Sequence, residues 1–442
     1  MMKITIPTAV ARLLRRLQEA GFLAYAVGGC VRDSILGKMP NDWDICTSAR
    51  PEQTAALFSH TVLTGARYGT VTVIEDEIAY EITTFRTETG YTDHRHPEQV
   101  EFLDALEGDL ARRDFTINAM AANLQGNVID LFDGLHDLRH GLIRCVGQAQ
   151  ERFSEDALRI LRALRFASRL NFSIESKTAE AIHLLKDSLA TVANERIAKE
   201  LQLLCGKGAA DILREFSDVL TVLIPEIAPC IGFRQYNYHH KFDVFEHSLQ
   251  ALSAEKSGDY ILRLTMLLHD IGKPSTFFMD KNLVGHFYGH ATVGAFMAER
   301  ALRRLRFDNT TIQTVKQLIE LHDYPMLDMT ERSMRRFLGK YGEETFRHLL
   351  AVRCADRLGK GTEFDVSQFE EKMLALLDSV KQTQRPLQLK GADLLHLGMQ
   401  EGVQLGRILK TVQEAVYDGR VENEHDSLVS FAQKIMDAVK ND

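Results

Sequence analysis

The chain opens on a helical period. Between Ala9 and Ala20 apolar residues return every three or four positions, which predicts an amphipathic helix. The pattern then changes. "FLAYAVGG", at Phe22–Gly29, is continuously apolar and ends on two glycines, so it predicts a buried strand that turns into a short helix over Cys30–Leu36. "DWDIC", "GTVTVIED" and "AYEITTFR" alternate or carry β-branched residues and predict three more strands. "RTETGYTDHRHPEQVEF", from Arg86 to Phe102, shows no period and predicts a mobile loop, and "NVIDLFDG" closes the region. From about Leu142 the period is helical almost throughout. Ser154 followed by two acids reads as the start of a helix through "SEDALRILRALRFASRL". Pro225, Pro229 and Gly232 mark a break, residues 243 to about 360 form a second helical block, and a last one follows "QTQRPLQLK" to Asp442. The expected architecture is an α/β head (1–140), an all-α neck and body (141–240), a further helical domain (241–360) and a helical tail (361–442).

The bulk numbers narrow this picture a little. The 442 residues are 45% hydrophobic and 26% charged, as in soluble globular chains, and the length fits about three domains. No apolar run approaches the roughly 18 residues a membrane span needs, and the N-terminus lacks the apolar core of a signal peptide. Six scattered cysteines without a C-x-x-C pair point to free thiols in a reducing cytoplasm and away from a zinc knuckle. The net charge of −8 does not exclude a nucleic-acid partner, because local patches matter more than the sum. Between Arg139 and Arg169 seven arginines face three acids. Of these, Arg159, Arg162, Arg165 and Arg169 stack along one side of a helix, either as a solvated face or as a phosphate-binding row.

Two pairs of residues carry chemistry. Side chains alternate along a strand, so Asp42 and Asp44 share a face about 7 Å apart. Two carboxylates at that spacing repel unless cations lie between them, and Mg²⁺ suits carboxylates together with phosphates. Gly28-Gly29, at the strand-to-helix turn, lets backbone N–H groups approach phosphates closely. Either pair alone is weak, and turn glycines with solvent-facing aspartates would look the same. Asp156 and Arg159, three apart on the expected helix, offer an acceptor beside a donor. Cytosine and adenine present an amine donor beside a ring-nitrogen acceptor, whereas uracil and guanine present the opposite polarity. The pair would therefore accept C and A, unless it is an ordinary intrahelical salt bridge.

"VGGCVRD…NDWDI", with "RRDFTINAMA" at Arg112–Ala121 and "EDALRILRALRFASRL" at Glu155–Leu170, resembles the polymerase-β-type nucleotidyltransferases. More narrowly, it is similar to the class II tRNA nucleotidyltransferase and poly(A) polymerase family. The likeness covers about the first 230 residues and returns in the tail. It implies catalysis at Asp42 and Asp44 with Mg²⁺, and Glu81 as a third carboxylate, though an exposed strand glutamate would read the same. It makes Gly28, Gly29, Arg32, Arg112, Arg113, Asp114, Asn118, Asp156, Arg159, Arg162 and Arg165 nucleotide-binding. Within this set Asp156 and Arg159 form an amino-acid template, and Arg112, Arg113, Asp114 and Asn118 hold sugar and phosphate. The loop around Phe85–Val100 resembles the element used in switching to the final A. The expected reaction adds C, C and A from CTP and ATP to a tRNA held by its acceptor stem and elbow. A poly(A) polymerase or an A-adding enzyme is the alternative.

Downstream, His247, His269-Asp270, His290, His322 and Asp356 follow the H…HD…H…H…D order of the HD metallophosphohydrolases. Singly, each reads as a core or surface residue. Together they resemble a site for a divalent transition metal such as Mn²⁺ or Ni²⁺, with phosphatase or 2′,3′-cyclic phosphodiesterase chemistry and Lys273 near the phosphate. His239-His240 falls outside the order and has no assigned role. An HD phosphohydrolase with a non-catalytic, RNA-binding N-terminal region is a reading from another class. Oligomeric state is not legible.

Overall fold

The computed structural model describes residues 2–89, 99–206, 208–237, 241–361, 364–383 and 386–440. His239 and His240 lie outside them. The chain divides into two units, Met1–Pro229 with Arg300–Asn309, and Cys230–Glu299 with Thr310–Asp442.

The first unit begins with helix α1 (Thr8–Glu19), strand β1 (Ala24–Val27), α2 (Gly29–Ile35), β2 (Asp44–Thr47) and α3 (Pro51–Leu57). Strands β3 (Thr61–Val62), β4 (Thr70–Glu75) and β5 (Ile78–Thr84) follow, then β6 (Arg86–Thr89), β7 (Gln99–Phe102) and α4 (Leu106–Ala111). After β8 (Met120–Ala122) and β9 (Val128–Asp130) come α5 (Gly134–His140), β10 (Leu142–Ile143), α6 (Ala149–Glu155), α7 (Leu158–Leu170) and β11 (Ser173–Ile174). Helices α8 (Ser176–Leu185), α9 (Asn194–Leu204), α10 (Ala209–Glu215) and α11 (Ser217–Leu223) complete it. Seven strands form one sheet in the order β3-β4-β5-β2-β1-β8-β9. On one face Val10, Leu13, Leu14 and Leu17 of α1 pack against Ile45, Val71, Val73 and Ile82. Each such side chain contributes about 1.5–3 kcal/mol by leaving water. On the other face Val27, Cys46, Phe85, Leu110 and Ala121 form a second core. Alternation along β2 therefore fixes the face of Asp44 as that of Cys46.

Three expectations are corrected. Strand β2 starts at Asp44, not Asp42: its register on β1 ends at the Val27–Asp44 pair, because Gly28 turns the partner strand away at φ 84°. The stretch expected as a loop has paired flanks, β6 and β7 running antiparallel from Arg86–Phe102 to Thr89–Gln99; residues 90–98 lie outside the described ones. The helix expected from Ser154 is two helices. Asp156 is extended (φ −144°, ψ 102°), and its carboxylate accepts the N–H of Leu158 at 3.1 Å, so the acid that read as a helix start caps the second helix.

The second unit contains α12 (Val244–Ala254), α13 (Tyr260–Leu268), α14 (Lys273–Thr276), a hairpin of β12 (Phe278–Met279) and β13 (Gly285–His286), α15 (His290–Arg304) and α16 (Asn309–Leu321). It continues with α17 (Glu331–Gly359), broken at Gly342, then α18 (Val366–Thr383), α19 (Gly391–His396), α20 (Val403–Tyr417) and α21 (His425–Lys440). The last helices share their own core of Leu394, Ile408, Val412, Leu428 and Ala432. Among the described residues no helix is long and apolar enough to cross a membrane, and all six cysteines are free and buried.

Candidate active sites

Parallel pairing of Ile45 with Ile82 sets Asp44 beside Glu81 at the same end of β2 and β5. Asp42 and Asp44 line one cavity of about 280 Å³, with Gly29, Arg32, Arg165 and Arg169 across it. Asp44 keeps contact with water, yet its carboxyl sits above the ordinary range. Desolvation by the cleft raises it most, Glu81 and Asp42 add to this, and Arg113 opposes them. Three acids that press on one another, all offering oxygen, fit a hard divalent cation. Gly28 is required here twice over. Its φ is 84°, and a Cβ would stand 3.0 Å from Arg113 Nη1 and 4.0 Å from Asp44 Oδ2.

The arginines divide into groups. Arg165 Nε donates to Glu200 of α9 at 2.6 Å, while Arg169 is exposed at the cavity. Phe166 lies beneath three guanidiniums, with Arg165 at 4.1 Å, Arg32 at 5.1 Å and Arg162 at 5.6 Å from its centroid. Arg32 also donates to Asn118 Oδ1 at 2.6 Å. Arg112 and Arg113 both pair with the buried Asp109, at 2.8 and 3.1 Å.

Asp114 is fully engaged. Oδ2 accepts both Nε and Nη2 of Arg162, at 2.8 and 2.6 Å, and Oδ1 accepts from Phe115 N and Asn118 Nδ2. Burial raises its pKa, but Arg162 outweighs this and brings it to about 2. The folded value lies below the ordinary 3.8, so the stabilisation is present above pH 4 and is lost as pH falls towards 2. Asp114→Asn is expected to cost about 2 kcal/mol at pH 7 in urea unfolding. The gap to the parent protein should shrink between pH 4 and 2; an equal gap at every pH would refute this origin.

Asp156 and Arg159 do not pair with each other. Asp156 is held by Arg196 of α9 at 2.8 and 3.3 Å. Arg159 donates to Glu155 at 2.6 Å and to the carbonyl of Arg112 at 3.3 Å. The helix break separates them and gives each a partner that helical spacing did not name. Arg196 and Glu200 lie four apart on α9 in "NERIAKEL", which was the available signal.

In the second unit six residues converge. His247 (α12), His269 and Asp270 (after α13), His322 (after α16) and Asp356 (α17) are all at most 2% exposed, and His290 starts α15. The Nε2 atoms of His247 and His269 stand 3.2 Å apart, as do those of His290 and His322. His269, His290 and His322 each turn Nδ1 to a backbone carbonyl, of Met266, Phe287 and Ile319, at 2.7, 2.8 and 2.6 Å. That partner places the proton on Nδ1 and leaves the Nε2 lone pair facing inward. Between His290 and His322 lone pair meets lone pair, an arrangement that a cation resolves. Two ligand triads share Asp270: one with His247 and His269, one with His290 and His322. Neither Asp270 oxygen accepts a well-directed hydrogen bond from the described residues, although Lys273 Nζ is 2.7 Å from Oδ2. The donor set fits one or two transition-metal ions. Two charged neighbours were missed. Asp323 stands 3.3 Å from His290 Nε2 and repeats the His-Asp dipeptide of 269–270, and Lys360 reaches Asp356 at 2.8 Å.

A head of this build, with acids on one side of a small cleft and guanidiniums on the other, belongs with the nucleotidyltransferases. The Poly A polymerase head domain family matches residues 24–144. The family described as probable RNA and SrmB-binding site of polymerase A matches 171–231, and tRNA nucleotidyltransferase domain 2 (putative) matches 291–432. The CCA-adding enzyme of Lactobacillus delbrueckii subsp. bulgaricus is 36% identical over 427 residues, 96% of this chain and 97% of its own. The solved CCA-adding enzyme of Bacillus stearothermophilus, in complex with CTP, matches 99% of this chain and 100% of its own, with TM-score 0.73 and 28% identity. That of Thermotoga maritima, complexed with tRNA, has TM-score 0.59 at 20% identity over 98% and 96% of the two chains, a likeness of fold alone. The chain belongs to the CCA-adding enzyme family. Nucleotidyl transfer in this class depends on a divalent metal ion.

Proposed function

We propose that this protein adds C, C and A to the 3′ end of tRNA from CTP and ATP. The observation that carries it is the cleft of Asp42 and Asp44 opposite Arg32, Arg165 and Arg169, in a chain related along its length to CCA-adding enzymes. The tRNA 3′ oxygen forms the new bond to the α-phosphorus, and the bond from that phosphorus to pyrophosphate breaks. Asp42, Asp44 and Glu81 would hold Mg²⁺, which supplies charge neutralisation at both the attacking and leaving oxygens. Arg32, Arg165 and Arg169 line the same cleft and bind the phosphates, with Gly28 and Gly29 admitting them. Asp114 acts as a positioning residue, holding Arg162 and Asn118 in place. Helices of the tail grip the tRNA elbow by shape. Free buried thiols agree with a cytoplasmic setting.

Incubation with tRNA lacking its terminal C-C-A separates the readings. Growth by three nucleotides only when CTP and ATP are both present supports this one. Long A tails point to a poly(A) polymerase, and no incorporation with phosphate release points to an HD hydrolase alone.

The histidine cluster favours a second activity: metal-dependent hydrolysis of phosphoesters that block a tRNA 3′ end. Water oxygen bonds to phosphorus, the ribose P–O bond breaks, and the ribose oxygen leaves with a proton. His247, His269, Asp270, His290, His322 and Asp356 would hold Mn²⁺ or Ni²⁺, which supplies an activated water at neutral pH. Saturating Mn²⁺ is expected to stabilise the second unit by about 2–4 kcal/mol in calorimetry, and His269→Ala to remove the gain. No metal-dependent shift, with no phosphate released from 2′-AMP or 2′,3′-cyclic AMP, would sink the idea.

A further inference from the structure

In front of the histidine cluster lies a cavity of about 440 Å³. Its inner wall is polar, with Asp270, His290, His322 and Asp356, and Lys273 and Lys360 bring two ammonium groups into it. Its outer wall is the segment just after the β12–β13 hairpin, His286, Phe287 and Tyr288. This wall is not built like a surface. Tyr288 is 75% exposed, an unusual position for a large aromatic ring. Its ring lies parallel to that of His286, with centroids 5.4 Å apart and 4° between the planes. His286 is itself anchored: it pairs in the hairpin with Phe278, and its Nε2 meets Asp280 Oδ2 at 3.0 Å. An imidazole fixed from behind thus holds the phenol ring with one face against it and most of its surface open to solvent, at the mouth of a cavity floored by phosphoester chemistry.

A flat aromatic face beside cations is what a nucleoside phosphate needs, because every base has a π face to stack and every phosphate a charge to meet. A phosphate ester without a base gains nothing from such a ring. We propose that Tyr288, backed by His286, stacks the base of the nucleotide hydrolysed at the histidine cluster, so that the site selects nucleoside phosphates over simple phosphate esters. The proposal rests on the hydrolase reading above. The nucleoside phosphate is either free or the last residue of an RNA, and the two share this chemistry.

The full-length protein with Mn²⁺, as parent, Tyr288→Phe and Tyr288→Ala, is given three substrates: 2′-AMP, glycerol 2-phosphate, and an RNA oligonucleotide ending in a 2′,3′-cyclic phosphate. Tyr288→Ala is expected to lower kcat/KM for 2′-AMP or for the RNA end on the order of tenfold, mainly through KM, and to leave glycerol 2-phosphate unchanged. Tyr288→Phe should keep parent behaviour. Loss confined to the RNA end assigns the site to RNA termini, and loss with both nucleotides assigns it to either source. Equal rates for parent and Tyr288→Ala on both nucleotides overturn the platform while leaving the hydrolase reading intact. Binding is read separately as the fluorescence quenching of 2-aminopurine riboside 3′-phosphate. If the parent hydrolyses nothing, the hydrolase reading fails, and quenching still decides: quenching lost in Tyr288→Ala alone supports the platform, and quenching absent or unchanged overturns it.

Discussion

Asp44→Asn is expected to reduce incorporation of both CMP and AMP by on the order of a thousandfold or more, without loss of fold. The substitution removes one of three carboxylates that crowd the cleft and leaves a group of the same shape. Asp44 is already pushed towards its neutral form, by desolvation first and then by Glu81 and Asp42. Neutralising it therefore relieves repulsion in the metal-free protein, and thermal stability should hold or rise slightly. The same change removes the strongest ligand for a divalent cation, where the reaction needs charge on both the attacking and leaving oxygens. Asp42→Asn should behave alike, and Glu81→Gln should lose less, since that side chain is more open to water. Phosphate release at the histidine cluster should be untouched, because those ligands belong to the other unit. Primer-extension kinetics with calorimetry on the same preparations would check this. Activity above a tenth of the parent's, or an equal loss accompanied by unfolding, would refute the assignment.

Much of this was legible because short-range periodicity carries it. Alternation places Asp44 on the face of Cys46, and a strand ending in Gly28-Gly29 can only turn there. The histidine order names six residues that helices α12 to α17 bring together, because each sits at a helix end or on an inward face. The rest was hidden for a common reason: helical spacing says which residues share a face but not what that face meets. Arg162 finds Asp114, forty-eight positions earlier, and Arg165 finds Glu200, thirty-five later. The β6–β7 pair escaped because its strands are four residues long and mostly charged or polar, so no apolar alternation marks them. Asp156 was misplaced by one rule applied too simply. An acid at a helix start was read as first-turn charge, when it was the cap that separates two helices.

That cap is the feature on which nucleotide choice should turn. Asp156→Asn is expected to lower kcat/KM for CTP and ATP by on the order of a hundredfold or more and to raise misincorporation of U or G. A carboxylate only accepts hydrogen bonds, which suits the exocyclic amine of C and A; an amide also donates, which suits the carbonyl of U and G. In the free protein this carboxylate is held by both guanidinium nitrogens of Arg196, and its other contact is the N–H of Leu158, so its direction is set before any base arrives. Arg196→Ala removes the hold and keeps the acceptor. It should weaken use of CTP and ATP together, without favouring UTP or GTP, which a change in base polarity cannot mimic. Arg159→Ala removes the donor for the ring nitrogen and also the contacts to Glu155 and the Arg112 carbonyl, so it should lower both rate and selectivity. Steady-state kinetics with the four nucleoside triphosphates, one at a time, separates the three variants. If Asp156→Asn keeps the parent preference for C and A within about threefold, this carboxylate does not read the base, and selection lies elsewhere in the cleft.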